Sequence, residues 1–315
     1  MINIILRHTL FLIAASASLI SSASFAATTL QEHRIKIDGQ QRRYYHLSNP
    51  AATQTGTPIF LISGSGCDDF ATRLPRFFER YGDDVNVYYL EKVGVQKNSH
   101  GDKCTKQFMA ADIFDKRHAD HLKFIEAEPT LKKMPVRSIA VLGFSEGGAF
   151  APYLARDSKK IGWLATAGSG GLAQSEEFLI FAARGVAPYA NPFSRDYFLH
   201  MYEEIKRDSK NLKKDFFGHT YAYWSGRLFT NPLKVYASLD IPMVAAMGEK
   251  DESVPIESGH ALRDYFLQRP EKKFQFVEFP GASHALGTPD NNGAQLFAAQ
   301  LAAWFKDEKM VFKTK

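Results

Sequence analysis

The stretch Ile139-Ala140-Val141-Leu142-Gly143-Phe144-Ser145-Glu146-Gly147 decides how this chain is read. Its first four residues are short and continuously apolar, the pattern of a strand buried on both faces. Two glycines then stand two residues either side of Ser145, and residues 146–156 carry helical spacing. A strand that becomes a helix within so few residues needs a sharp, strained corner that bulky neighbours would not allow. The helix amino terminus favours negative charge beside Ser145, and the amide of Glu146 can point at a developing oxyanion. Gly-x-Ser-x-Gly alone recurs by chance; the strand before it and the helix after it give it weight.

The same rhythm continues on both sides. Residues 58–62, 85–90, 161–167, 241–247 and 274–279 read as further strands, and 70–81, 108–126 and 293–306 as helices, the first despite Pro75. Upstream, residues 33–37 and 43–47 flank Asp38-Gly39 and predict an antiparallel hairpin. Buried strands alternating with helices define the α/β class, with a mostly parallel, doubly wound sheet behind that hairpin. Such sheets bind ligands just beyond the carboxyl ends of their strands. Residues 172–239 break the pattern: they lack a clear strand and are rich in aromatics, among them Phe178, Tyr189, Phe198 and Tyr202. This reads as a helical cap inserted over the site, or as a helical pair packed beside the sheet. Tyr221, Tyr223 and Trp224 are its candidate substrate contacts.

A serine hydroxyl needs a base to take its proton and an acid to orient the base. Of the ten histidines, His284 alone follows a strand near the end of the chain, in Gly281-Ala282-Ser283-His284-Ala285-Leu286-Gly287. The acid is expected at Asp251, just after the 241–247 strand, with Glu249 and Glu252 as neighbours that could be mistaken for it. Each candidate thus follows its own strand, as the carboxyl-end rule requires. The second oxyanion donor is expected after the 58–62 strand, in Ser63-Gly64-Ser65-Gly66-Cys67, from the amide of Ser65 or of Gly66. A phosphate loop is the rival reading of those glycines, but no Gly-Lys-Ser/Thr accompanies them.

The first residues form a unit apart. Arg7 and His8 precede a short apolar run at 9–15 and a small-residue stretch ending Ser24-Phe25-Ala26-Ala27, the layout of a secretory signal peptide over residues 1–26. The apolar run is too short for a membrane span, and a mature domain of 27–315 is expected to be periplasmic or secreted. The two cysteines, Cys67 and Cys104, form an even count in an exported chain and suggest one disulfide, which would pin the loop holding Gly64 and Ser65. The net charge of +5 falls to +4 (5 − 1) without Arg7. Lysines lie in scattered pairs rather than one stripe, so neither nucleic-acid binding nor stable membrane insertion is expected.

On Ser145, Asp251 and His284, in that chain order, the sequence resembles the α/β-hydrolase superfamily from about residue 57 to 304. Tyr221-Ala222-Tyr223-Trp224 through Asn231-Pro232-Leu233, then Asp251-Glu252-Ser253-Val254-Pro255, are similar to capped bacterial esterases or peptidase-like members. The resemblance implies Ser145 as nucleophile, His284 as general base and acid, Asp251 as orienter, and no cofactor or metal. Glu146 is expected as a structural hydrogen-bonding partner; His118 and His121 could share a helix face, but without a partner carboxylate set no metal site is expected there. The expected activity is cleavage of a small-molecule ester. The alternatives are an aminopeptidase of the same fold, using Glu176-Glu177 or Glu203-Glu204 to hold an ammonium, and a non-catalytic binding protein on the same scaffold.

Overall fold

The computed structural model describes residues 28–50 and 56–315, so the signal-peptide reading of residues 1–26 lies outside the described residues. Strands β1 (Thr29–Ile37) and β2 (Gln40–Ser48) form the expected hairpin. Asp38 and Gly39 both sit at positive φ, 50° and 76°, the tight corner for which Asp-Gly is suited. Then come β3 (Ile59–Ile62), α1 (Leu74–Phe77), β4 (Asn86–Leu90), α2 (Lys106–Ala111), α3 (Phe114–Ala127), β5 (Ile139–Phe144), α4 (Glu146–Asp157) and β6 (Ile161–Ala167). An insert follows, with α5 (Gln174–Ala183), α6 (Arg195–Arg207), the two-residue strands β7 (Asp215–Phe216) and β8 (His219–Thr220), α7 (Tyr221–Ser225) and α8 (Pro232–Ser238). The chain returns through β9 (Met243–Gly248), α9 (Ile256–Leu267), β10 (Phe274–Phe279) and α10 (Gly293–Trp304).

Eight strands form one sheet in the order β1-β2-β4-β3-β5-β6-β9-β10. Only β1-β2 and β2-β4 pair antiparallel; every other pair is parallel. Because β3 has β4 on one side and β5 on the other, the connections diverge there and leave a crevice beyond the carboxyl ends of β3 and β5. Alternation within the strands separates two cores. Ile59, Leu61 and Leu142 pack with Phe297 and Trp304 on one face; Phe60, Val141, Phe124, Phe150 and Leu262 fill the other. The insert has a third cluster of its own, led by Phe178, Phe198, Phe216 and Trp224.

Three local expectations are corrected. The 70–81 helix shrinks to Leu74–Phe77 after a 3₁₀ turn, because Pro75 starts it late and Phe78 and Tyr81 turn into the core. The 108–126 helix breaks into α2 and α3, with Ile113 extended and Asp112 drawn to Arg117. The insert contains the β7-β8 pair where no strand was read. Among the described residues, no helix is long and apolar enough to cross a membrane.

Candidate active site

Ser145 occupies the corner between β5 and α4 with φ 54° and ψ −121°, a conformation that costs an L-residue about 1–3 kcal/mol. Two neighbours leave room for nothing but glycine. A Cβ on Gly143 would strike the backbone of Gly147, and one on Gly147 would strike the carbonyl of Ile62 in β3. The corner is fixed by backbone bonds on both sides, Ser145 N to Ala167 O (2.8 Å) and Gly148 N to Ser145 O (2.8 Å). As the first residue of α4, Glu146 has an amide with no acceptor inside the helix.

His284 Nε2 lies 2.8 Å from Ser145 Oγ, and its Nδ1 lies 2.8 and 3.0 Å from the two oxygens of Asp251. With Asp251 ionised, Nδ1 carries the proton and Nε2 accepts from the serine hydroxyl. Asp251 Oδ1 also accepts from the amides of Ser253 and Val254, both at 2.8 Å, which fixes the carboxylate before it meets the ring. The neighbouring glutamates serve the histidine loop instead. Glu252 accepts from the amide of His284 (3.1 Å) and Glu249 from that of Gly281 (2.7 Å).

The loop after β3 brings Gly64 beside Ser145: a Cβ there would stand 3.1 Å from the serine Cβ. Gly64 and Ser65 line the same cavity as Ser145, whereas Gly66 is not part of that wall. Buried Lys92 explains the loop's orientation, since its Nζ donates to the carbonyls of both Gly64 and Gly66. Burial lowers the Lys92 ammonium from its ordinary range, and the nearby Arg117 adds to the effect. Cys67 and Cys104 form a disulfide, with Cα atoms 5.5 Å apart, joining this loop to the one after β4.

Beneath the corner lies a cluster of buried charge that sequence reasoning missed. The Glu146 carboxylate meets Arg117 of α3 at 2.5 Å and Arg227 of the insert at 3.3 Å. Arg117 also pairs with Asp112 (3.0 Å) and stacks on Phe150, 4.4 Å from the ring centre. Burial pushes the Glu146 carboxyl up, but Arg117, Arg227 and Lys92 outweigh it and hold it well below the carboxylate range. Tyr223 bonds to the same carboxylate, and burial raises its phenol well above the ordinary value. Arg227 also donates to Gln174 (2.8 Å), and His219, stacked 4.0 Å from Tyr223, lies 3.6 Å from Asp112.

Sheet loops and insert together enclose a cavity of about 370 Å³ that reaches Ser145 and His284. Tyr223 and Trp224 are in its wall; Tyr221 is buried inside the insert, under Lys214. Of the glutamates considered for an ammonium, Glu177 alone lines the cavity. Glu176 bonds to the amide of Ala173, and Glu203 and Glu204 pair with Lys206 and Arg207 on α6. His118 bonds to Asp157 (2.8 Å), while His121 is buried against Phe60 and Phe150.

A sheet of this order, with a serine at the β5–α4 corner and a histidine and an aspartate beyond later strands, is the α/β-hydrolase fold, and solved structures of that fold are similar to this chain. Residues 213–314, which hold Asp251 and His284, match the dienelactone hydrolase family. No curated protein matches the chain. Among solved structures it is similar to Est1E from Butyrivibrio proteoclasticus, at 15% identity and TM-score 0.56 over 88% of this chain and 98% of that one. A membrane phospholipase A described as a bacterial virulence factor gives 15% identity and TM-score 0.55, over 90% and 87%. An acylaminoacyl peptidase from Pyrococcus horikoshii gives 12% and 0.58, covering 92% of this chain and 44% of that one.

Proposed function

We propose that this protein is a serine hydrolase that cleaves carboxylic esters through an acyl-enzyme. The observation that supports this best is the unbroken line of contacts from Asp251 through His284 to Ser145, opening on a 370 Å³ cavity. Ser145 Oγ attacks the ester carbonyl while His284 Nε2 takes its proton. Negative charge on the carbonyl oxygen is met by the Glu146 amide at the start of α4 and by an amide of the Gly64–Ser65 segment. The alcohol leaves with the proton from His284. Water then repeats the sequence on the acyl-serine and releases the acid. The insert is the cap that closes the cavity, and its aromatic cluster holds Tyr223 and Trp224 in the wall.

An amidase or aminopeptidase would use the same three residues; Glu177 in the cavity wall is the observation that favours it. Export is supported by the Cys67–Cys104 disulfide, which persists in oxidising compartments, and an exported protein beginning at Ala27 would establish it.

The test is a fluorophosphonate probe and a chain-length series of 4-nitrophenyl esters on the mature protein. Labelling and turnover are expected in the wild type, and both should vanish in Ser145→Ala. A Ser145→Ala variant that still labels or turns over would reject the assignment. So would a wild type that does neither, which is the behaviour of a non-catalytic scaffold.

A further inference from the structure

The charged side chains in the cavity wall can be paired off one by one. Asp68 meets Arg73 at 2.9 Å, and Glu146 meets Arg227 at 3.3 Å besides Arg117. Glu177 is left over. It lies in the first turn of α5, is 5% exposed, and has no cationic partner in ion-pair reach among the described residues. Its contact is neutral: Ser258 Oγ of α9 donates to Glu177 Oε1 at 2.6 Å while accepting from the amide of Leu172 at 3.0 Å. That pair fixes the carboxyl group and commits one oxygen. No donor engages the other oxygen among the described residues.

A carboxylate buried without a counter-charge is costly, and it lasts where something else supplies the charge. The groups facing it reinforce the point. Burial is the largest influence and pushes the Glu177 carboxyl up to about 7; Ser258 and Arg227 pull it down, and Asp251 and Glu176 push it further up. Arg227 is already occupied by Glu146 and Gln174, so it does not neutralise Glu177. The location is also informative. Ser258 packs against Gly170 and His284 against Gly168, so Glu177 stands on the histidine side of the cavity.

We propose that the cavity takes an acyl substrate bearing a protonated amine, and that Glu177 is the specificity-determining residue that receives it. This rests on the serine-hydrolase reading of the same cavity. The ammonium supplies the one charge the wall lacks, and binding it removes the penalty of the unpaired carboxylate. A neutral substrate of the same shape gains nothing from Glu177.

Glu177→Gln keeps an oxygen for Ser258 to bond while removing the charge, so the fold is preserved. Binding is measured by calorimetry on the Ser145→Ala protein, which requires no turnover, with alanine 4-nitroanilide against propionic acid 4-nitroanilide. The amine should bind at least about tenfold more tightly, and adding Glu177→Gln should bring the two within about twofold. Equal binding in the Ser145→Ala parent, or a preference unchanged by Glu177→Gln, overturns the proposal. Intact amine preference in a wild type that hydrolyses neither aminoacyl nor simple esters upholds this site and rejects the hydrolase reading alone.

Discussion

The two walls of the cavity are held in different ways. On the sheet side, backbone does the positioning. Glycines 143 and 147 fit where a Cβ cannot, and the loops bearing Asp251 and His284 are joined by Glu249 N to Phe279 O (3.0 Å) and Lys250 N to Ala282 O (2.9 Å). On the insert side, side chains do it. Arg227 and Tyr223 reach down to the Glu146 carboxylate, and above them the aromatic cluster around Phe178 and Trp224 packs on itself. The difference teaches where function and stability separate. A reacting side chain on the sheet wall can be altered without disturbing the frame, whereas an anchoring side chain under the insert is part of the frame.

Asp251→Asn is the sharpest test of the sheet wall and carries the largest expected effect. The asparagine oxygen can still accept from the amides of Ser253 and Val254, so the loop is retained. Its amide nitrogen, however, would donate to His284 Nδ1 and stabilise the tautomer that cannot take the serine proton. Turnover should fall by about 10³–10⁴-fold, as removal of a triad orienter does elsewhere, with little change in melting temperature. Steady-state kinetics and calorimetry on one preparation decide it; a parallel loss of stability would erase the distinction between the walls.

Glu146→Gln makes the opposite prediction. It leaves the Glu146 amide in place but confronts Arg117 and Arg227 with a neutral group. Breaking a buried ion pair from one side costs about 3–5 kcal/mol, so the expected signature is a large drop in melting temperature with a smaller loss of turnover. Chemical denaturation reads the first and ester kinetics the second. A variant as stable as wild type would mean that the insert is held by its aromatic cluster alone.

The same contrast sets what could be read without coordinates. The corner at Ser145, the loops after β9 and β10 and the strands from β3 onward follow from local chemistry: short apolar runs, glycine where backbones touch, and a candidate residue just after β5, β9 and β10. The binding partners of Glu146 do not. Arg117 lies 29 residues before it and Arg227 81 after, and nothing in the local pattern of either side chain marks them as one cluster. Helix α9 went unread although Pro255 marks its start, and Tyr221 looked like a wall residue because it shares a helical turn with Tyr223 and Trp224. Lys92 was equally silent: a lysine after a strand reads as solvated until Gly64 and Gly66 turn their carbonyls toward it.

The smallest effect concerns two carboxyls buried without an ion pair in close contact, one behind the sheet-side loops and one in the insert wall. Glu91, beside Lys92 just after β4, is 2% exposed, and its Oε1 accepts from Tyr89 (2.8 Å) and from the Lys92 amide (2.9 Å). Burial pushes it up to about 7, outweighing the hydrogen bond from Tyr89 and the charge of Lys92. Glu177, on the insert wall, is pushed up to about 7 as well. A carboxyl raised on folding binds its proton more tightly in the folded state than in the unfolded one. Its contribution to stability is therefore complete below the unfolded value of 4.5 and is lost as pH rises through about 7. Glu146, held low, acts in the reverse sense and is lost only as pH falls below the ordinary carboxylate range. Glu91 and Glu177 should then each remove stability between about pH 4.5 and 7, alongside buried Asp112, which acts in the same sense, and buried His46, His121 and His219, which act in the opposite one. Denaturant melts across that interval should show the stability loss with rising pH reduced in Glu91→Gln and reduced further when Glu177→Gln is added. If Glu91→Gln leaves the pH profile untouched, the carboxyl contribution belongs to Glu177 alone, and an amine ligand, by holding Glu177 ionised, should remove that contribution in the wild type.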